Sequence, residues 1–135
     1  MSERIGNTIP PPLRFEFGSE QGSDKLCRAV LLVTADEDGA PRVAVLSYAE
    51  VKSLDDRRAS VAVNAGTRTH HNCERGSAAL LWCVLDGAAY SLRGSMKNMG
   101  DASFELTVEE VLRDFYPDQP MMSGPMYRKL KGTAE

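Results

Sequence analysis

The residues best equipped for chemistry stand together in Val61-Ala62-Val63-Asn64-Ala65-Gly66-Thr67-Arg68-Thr69-His70-His71-Asn72. An apolar, β-branched run ends at Asn64 and passes through a glycine into hydroxyl, guanidinium, hydroxyl. Gly66 lets the backbone turn tightly. Thr67 or Thr69 can cap a helix start, which presents unpaired N–H groups to an anion. Arg68 adds a planar, permanently charged fork suited to phosphate. Residues Thr69 to Arg75 are expected to form a turn or two of helix before the next apolar run at Ala78. These features describe a phosphate cradle, and they equally describe a solvated arginine in a capped connection.

Other chemistries fit less well. His70, His71 and Cys73 are close in sequence, but adjacent histidines do not share a helix face and no spaced ligand pair recurs elsewhere, so no metal site is expected. A Cys73–histidine nucleophile lacks an orienting third group in the sequence. His71 reads as a solvent-facing side chain. Cys27 and Cys83 lie in apolar runs and read as small core residues. Three cysteines without a close pair fit a reducing, cytoplasmic setting. No catalytic acid or base can be assigned.

The elements that position the motif must come from one domain, since the chain has 135 residues. Its hydrophobic fraction of 42%, charged fraction of 26% and net charge of −3 are those of an ordinary globular protein. No block of basic charge suggests a nucleic-acid partner. No apolar run approaches a membrane span, and Met1 to Pro12 lacks the apolar centre of a signal peptide. Residues 1–20 read as an N-terminal arm, extended or disordered through Ile9-Pro10-Pro11-Pro12, and residues 21–135 as the domain. Within the arm, Leu13, Phe15 and Phe17 alternate with Arg14 and Glu16, as if packing one face on the body.

Cys27 to Asp36 and Arg42 to Tyr48 read as strands joined by a hairpin at Asp38-Gly39. Asp55 and Asp56 mark a turn before a strand over Ser60 to Asn64. Ala78 to Leu85 is apolar on both faces and so central, with Trp82 in the core or at an interface. Asp86-Gly87 signals a second hairpin leading into Ala88 to Arg93. Arg42 and Arg93 read as solvated strand ends. The spacing of Val108, Val111, Leu112 and Phe115 after a Thr107–Glu110 capping box predicts a helix, stopped by Pro117. Met121 to Tyr127 is apolar enough for a further strand or for packing on a partner, and Arg128 to Lys131 reads as a solvated end. Short antiparallel strands joined by tight turns close readily into a small barrel.

With the strands placed, Leu32-Val33-Thr34-Ala35-Asp36-Glu37-Asp38-Gly39-Ala40-Pro41-Arg42-Val43 resembles the opening hairpin of the pyridoxamine 5′-phosphate oxidase-like, FMN-binding split-barrel superfamily. The resemblance continues at Leu46-Ser47-Tyr48-Ala49-Glu50-Val51 and at Gly66-Thr67-Arg68-Thr69 to Asn72. It implies a mainly β fold: a split β-barrel of about six antiparallel strands in Greek-key order, with short flanking helices. It also implies an FMN-dependent oxidoreductase acting on a small-molecule redox substrate, built as a homodimer with the cofactor groove at the interface. By that similarity Thr67, Arg68 and Thr69 would hold the FMN phosphate and Asn72 would stand beside it. Leu46, Ser47 and Tyr48 would run along the ring, partly through their backbone. Deazaflavin or haem are alternative cofactors on the same scaffold, which also hosts non-catalytic binding proteins. Cys73 and His70-His71 depart from the family pattern. Its arginine-and-lysine phosphate motif is not recognisable, so a specific vitamin B6 activity is not expected.

Overall fold

The computed structural model describes residues 1–18, 28–115 and 124. Strands are β1 (Ser2–Gly6), β2 (Ala29–Ala35), β3 (Pro41–Ser47), β4 (Val51–Ser53), β5 (Arg58–Ala62), β6 (Ala78–Leu85), β7 (Ala88–Gly100) and β8 (Ser103–Asp114); helices are α1 (Pro11–Glu16) and α2 (Arg68–Glu74). The protein is mainly β. The strands form one antiparallel sheet in the order β3-β2-β6-β7-β8-β5-β4, with β1 added to β8. β8 pairs with β7 along one side, and on the other with β5 through Ser103–Thr107 and with β1 through Val111–Asp114. The sheet curls into a half-barrel.

Both hairpin signals are realised. Asp86 and Gly87 have φ of 51° and 80°, the two positive values that a two-residue turn needs to match strand twist. Gly39 (φ 87°) completes the β2–β3 turn, where the Asp36 N–H donates to Ala40 O and the Gly39 N–H to Asp36 O. Period-two burial follows: Val30, Leu32 and Thr34 on β2 and Leu81 and Cys83 on β6 point inward. They meet Tyr48, Val61, Leu92, Phe104 and Leu106 in the core. No helix among the described residues is long and apolar enough to cross a membrane.

Two expectations need correction. The segment after Thr107 is strand, not helix. Phe104, Leu106 and Val108 are buried at strand period, and Gly94 then pairs with Val108 while Arg93 pairs with Glu110, leaving Glu109 as an extra residue. That bulge puts the next inward residue, Val111, three positions after Val108, which imitates helical spacing. Gly94 makes the bulge possible, because a Cβ there would lie 1.8 Å from Thr107 O. Second, the Leu13–Phe17 stretch is not alternating. It forms α1 and its C-cap, burying Leu13 and Phe17 one helical turn apart and leaving Phe15 76% exposed. The segment expected as an arm also supplies β1 and buries Ile9 in the core. Of the two places expected for Trp82, core or interface, the core does not hold: it is half-buried on the outward face of β6. Cys27, most of the Gly18–Ser23 loop, Pro117, the Met121–Tyr127 segment apart from Gly124, and Arg128 to Lys131 lie outside the described residues.

Candidate functional site

The strand–glycine–hydroxyl motif forms the turn and helix that cover one end of the half-barrel. Gly66 has φ of 82°, a conformation glycine adopts without penalty. Thr67 is the N-cap of α2: its Oγ1 accepts the His70 N–H at 3.1 Å and donates to Asn64 O at 2.8 Å. The hydroxyl is therefore fully used within the turn. Thr69 points inward and is 7% exposed, whereas Arg68 is exposed. Asn72 is buried, and its Nδ2 donates to Thr34 Oγ1 at 3.1 Å and to Asp36 Oδ1 at 2.7 Å. Through Asn72, α2 is fastened to the end of β2.

These residues open on a cleft of about 650 Å³. One wall is the hairpin tip, Asp36, Glu37 and Asp38; the other is Gly66, Thr67, Arg68, His71 and Asn72. Each carboxylate of the acidic wall has a local partner. Asp36 receives a bidentate fork from Arg42 at 2.9 and 3.0 Å. Arg42 first and Asn72 second hold its carboxyl down to about 2. Asp38 accepts the Ala40 N–H at 3.0 Å. Glu37 Oε1 lies 2.8 Å from His71 Nε2, and this contact holds the Glu37 carboxyl below the usual carboxylate range. Arg75 donates to Ala35 O at 2.6 Å. Arg68, by contrast, makes no ion pair or hydrogen bond among the described residues, and it is the one cation of the cleft so left. Arg42 and Arg93 are not simply solvated strand ends: Arg42 is tied to Asp36, and Arg93 Nη2 lies 3.2 Å from Glu110.

The second group of expected site residues lies at the end of β3. Leu46 and Tyr48 are buried, and the Tyr48 hydroxyl donates to Val84 O at 2.9 Å. Burial, with Cys83 beside it, raises the Tyr48 pKa. Ser47 is half-buried, and its N–H and hydroxyl both bond Glu50 Oε1, at 2.9 and 3.2 Å, starting a 3-10 turn over Tyr48–Glu50. The side chains of Leu46 and Tyr48 thus serve the core, while β3 itself is the last strand of the described sheet on its side and presents a backbone edge. Cys73 and Cys83 are buried, and burial pushes their thiols up to about 11 and about 12.

Two features of the site were not singled out in the sequence. The acidic hairpin tip as a cleft wall is one; its only signal was three acidic residues in a turn beside a basic motif. The other is an apolar outward face. In register, Val45 and Trp82 flank Leu31, and Val43 and Leu80 flank Val33. Val43 and Val45 are 56% and 53% exposed.

Solved structures share this architecture. A candidate pyridoxamine 5′-phosphate oxidase from Lactobacillus delbrueckii aligns with a TM-score of 0.62 at 17% identity, covering 81% of this chain and 98% of its own. The fold is the split barrel of the pyridoxamine 5′-phosphate oxidase-like proteins. HupZ of Group A Streptococcus shares this split barrel, with a TM-score of 0.58 at 14% identity over 76% of this chain and 91% of that one. No protein-family model and no curated protein matches the sequence.

Proposed function

We propose that this split barrel is an FMN-binding flavoprotein with oxidoreductase activity, acting as a homodimer on a small redox substrate. The observation that carries the reading is Arg68: an exposed guanidinium in a sizeable cleft whose carboxylates are all engaged elsewhere. Such a cation suits a phosphate group, and Arg68 would bind it. Thr67 and Asn72 would act indirectly, since their polar atoms hold the turn that presents Arg68, and Thr69 is buried beside them. The isoalloxazine would lie along the Leu46–Tyr48 end of β3, contacting backbone. Bound flavin would supply hydride and single-electron chemistry.

The outward face of Leu31, Val33, Val43, Val45, Leu80 and Trp82 supports the dimer, because soluble monomers seldom leave so many neighbouring apolar side chains uncovered. Val45→Asp is expected to shift the protein to monomer in sedimentation velocity.

A second reading, a non-catalytic binder of flavin, deazaflavin or haem on the same scaffold, draws support from the engagement of Asp36, Glu37 and Asp38 in internal contacts. Each carboxylate of the cleft among the described residues has a partner within the protein. The test begins with mixing purified protein and FMN, removing the excess and recording the visible spectrum. Retained flavin that passes electrons from a nicotinamide donor to an acceptor faster than free FMN supports the enzyme. Retained but inert flavin supports the binder. Haem and deazaflavin are the next probes if no flavin is retained.

A further inference from the structure

We propose that Glu37 is an internal competitor for the anion of the cleft, occupying His71 as a second hydrogen-bonding contact that a phosphate group must take over. The inference rests on the anion reading of Arg68 and adds a control on that site. The Glu37–His71 contact, at 2.8 Å, joins two elements 34 residues apart and bridges the two walls of the cleft. The charges facing it come from both sides. The hairpin contributes Asp36, Asp38 and Arg42, and α2 with its C-cap contributes Arg68, Glu74 and Arg75.

Most of these are fixed. Arg42 is forked onto Asp36, Asp38 caps the Ala40 N–H, Arg75 bonds Ala35 O, and Glu74 pairs with His70 at 3.2 Å. Arg68 and the Glu37–His71 pair remain able to rearrange. The pair is exposed, its side chains 68% and 58% accessible, so the contact is of the weak surface kind. A phosphate monoester brings nearly two charges against the single charge of Glu37 and can bridge Arg68 and His71 together. A carboxylate ligand brings one charge, no more than Glu37 already offers. The cleft therefore discriminates in favour of the dianion, and Glu37 sets the threshold.

The test titrates inorganic phosphate and FMN separately into the wild-type protein and the Arg68→Ala, Glu37→Gln, His71→Gln and Glu37→Gln/His71→Gln variants. Binding is followed by calorimetry and by the His71 ring resonances. Both positions are exposed, so the fold is expected to persist. Glu37→Gln should bind phosphate about three- to tenfold more tightly, the effect of removing one exposed competing charge facing a dianion. His71→Gln should bind more weakly, and the gain from Glu37→Gln should shrink in the His71→Gln background. Unchanged or weakened binding in Glu37→Gln would overturn the proposal. FMN binding that needs Arg68 but ignores Glu37 would remove the competitor and leave the flavin reading intact. Phosphate binding sensitive to Glu37, without FMN binding, would do the reverse. Failure of both wild type and Glu37→Gln to take up either anion would reject both.

Discussion

Replacing Asn72 is the perturbation that most directly tests how the site is held. Its amide is the link from α2, a seven-residue helix too short to be stable alone, to the end of β2 and the hairpin tip. In Asn72→Ala, Thr34 Oγ1 would lose its amide donor in a position only 2% exposed. A buried polar atom left unsatisfied costs about 1–3 kcal/mol, and the truncated side chain leaves a small void besides. The expected loss is about 2–3 kcal/mol. For a domain of this size that corresponds to a fall in Tm of about 6–15 °C, measured by calorimetry and checked by urea unfolding. Asn72→Asp is nearly isosteric but removes the donor and places a second carboxylate against Asp36, which stands 2.7 Å from the present amide nitrogen. It should be at least as destabilising at pH 7, and stability should partly recover as the pH falls and the new pair takes up a proton. A loss below about 0.5 kcal/mol in Asn72→Ala, or a wild-type Tm in Asn72→Asp at pH 7, would refute the assignment of Asn72 as the fastener.

Other consequences follow from the same geometry. Because the Asp36 carboxyl is lowered from 3.8 to about 2, its contribution to stability is present above pH 4 and is lost as the pH falls toward 2; carbon-detected NMR of the carboxyl in wild type and Arg42→Ala should show its titration move up when the fork is removed. Gly94→Ala should cost about 3 kcal/mol or more and is expected to disrupt the β7–β8 register, seen as lost amide protection around Thr107 and Val108, because the added Cβ would strike backbone. Cys73 and Cys83 should resist alkylation at pH 8 in the folded protein and react on unfolding, since burial raises both thiols.

Much of this architecture is legible in the sequence because local rules point the same way. Asp38-Gly39 and Asp86-Gly87 each join two runs of strand period, and they pair β2 with β3 and β6 with β7 as expected. A threonine N-cap, at Thr67 or Thr69, and Arg68 as an exposed cation are likewise readable from residue type and spacing, and the fold selects Thr67. What escapes is non-local. The β8 strand carries a helix-like spacing because a bulge at Glu109 shifts its alternation, and only the pairing with β7 reveals that. The β1 strand has little apolar content and is specified by the free edge of β8. At the site, a sequence lists Asp36, Glu37, Asp38, Arg42 and His71 as charges but cannot say which neutralise one another. Their pairing is set by the fold, and it leaves Arg68 without a hydrogen bond or ion pair among the described residues.

On the proposed reading, Arg68 holds the phosphate group of a bound flavin. The most direct measurement is the affinity of wild type and Arg68→Ala for FMN and for riboflavin, followed by flavin fluorescence. Tighter binding of FMN than of riboflavin by wild type is expected. Arg68→Ala should lose about ten- to a hundredfold in FMN affinity, the range of a charge-assisted hydrogen bond, with riboflavin binding nearly unchanged. Equal affinity of wild type for the two flavins, or FMN binding indifferent to Arg68→Ala, would contradict it.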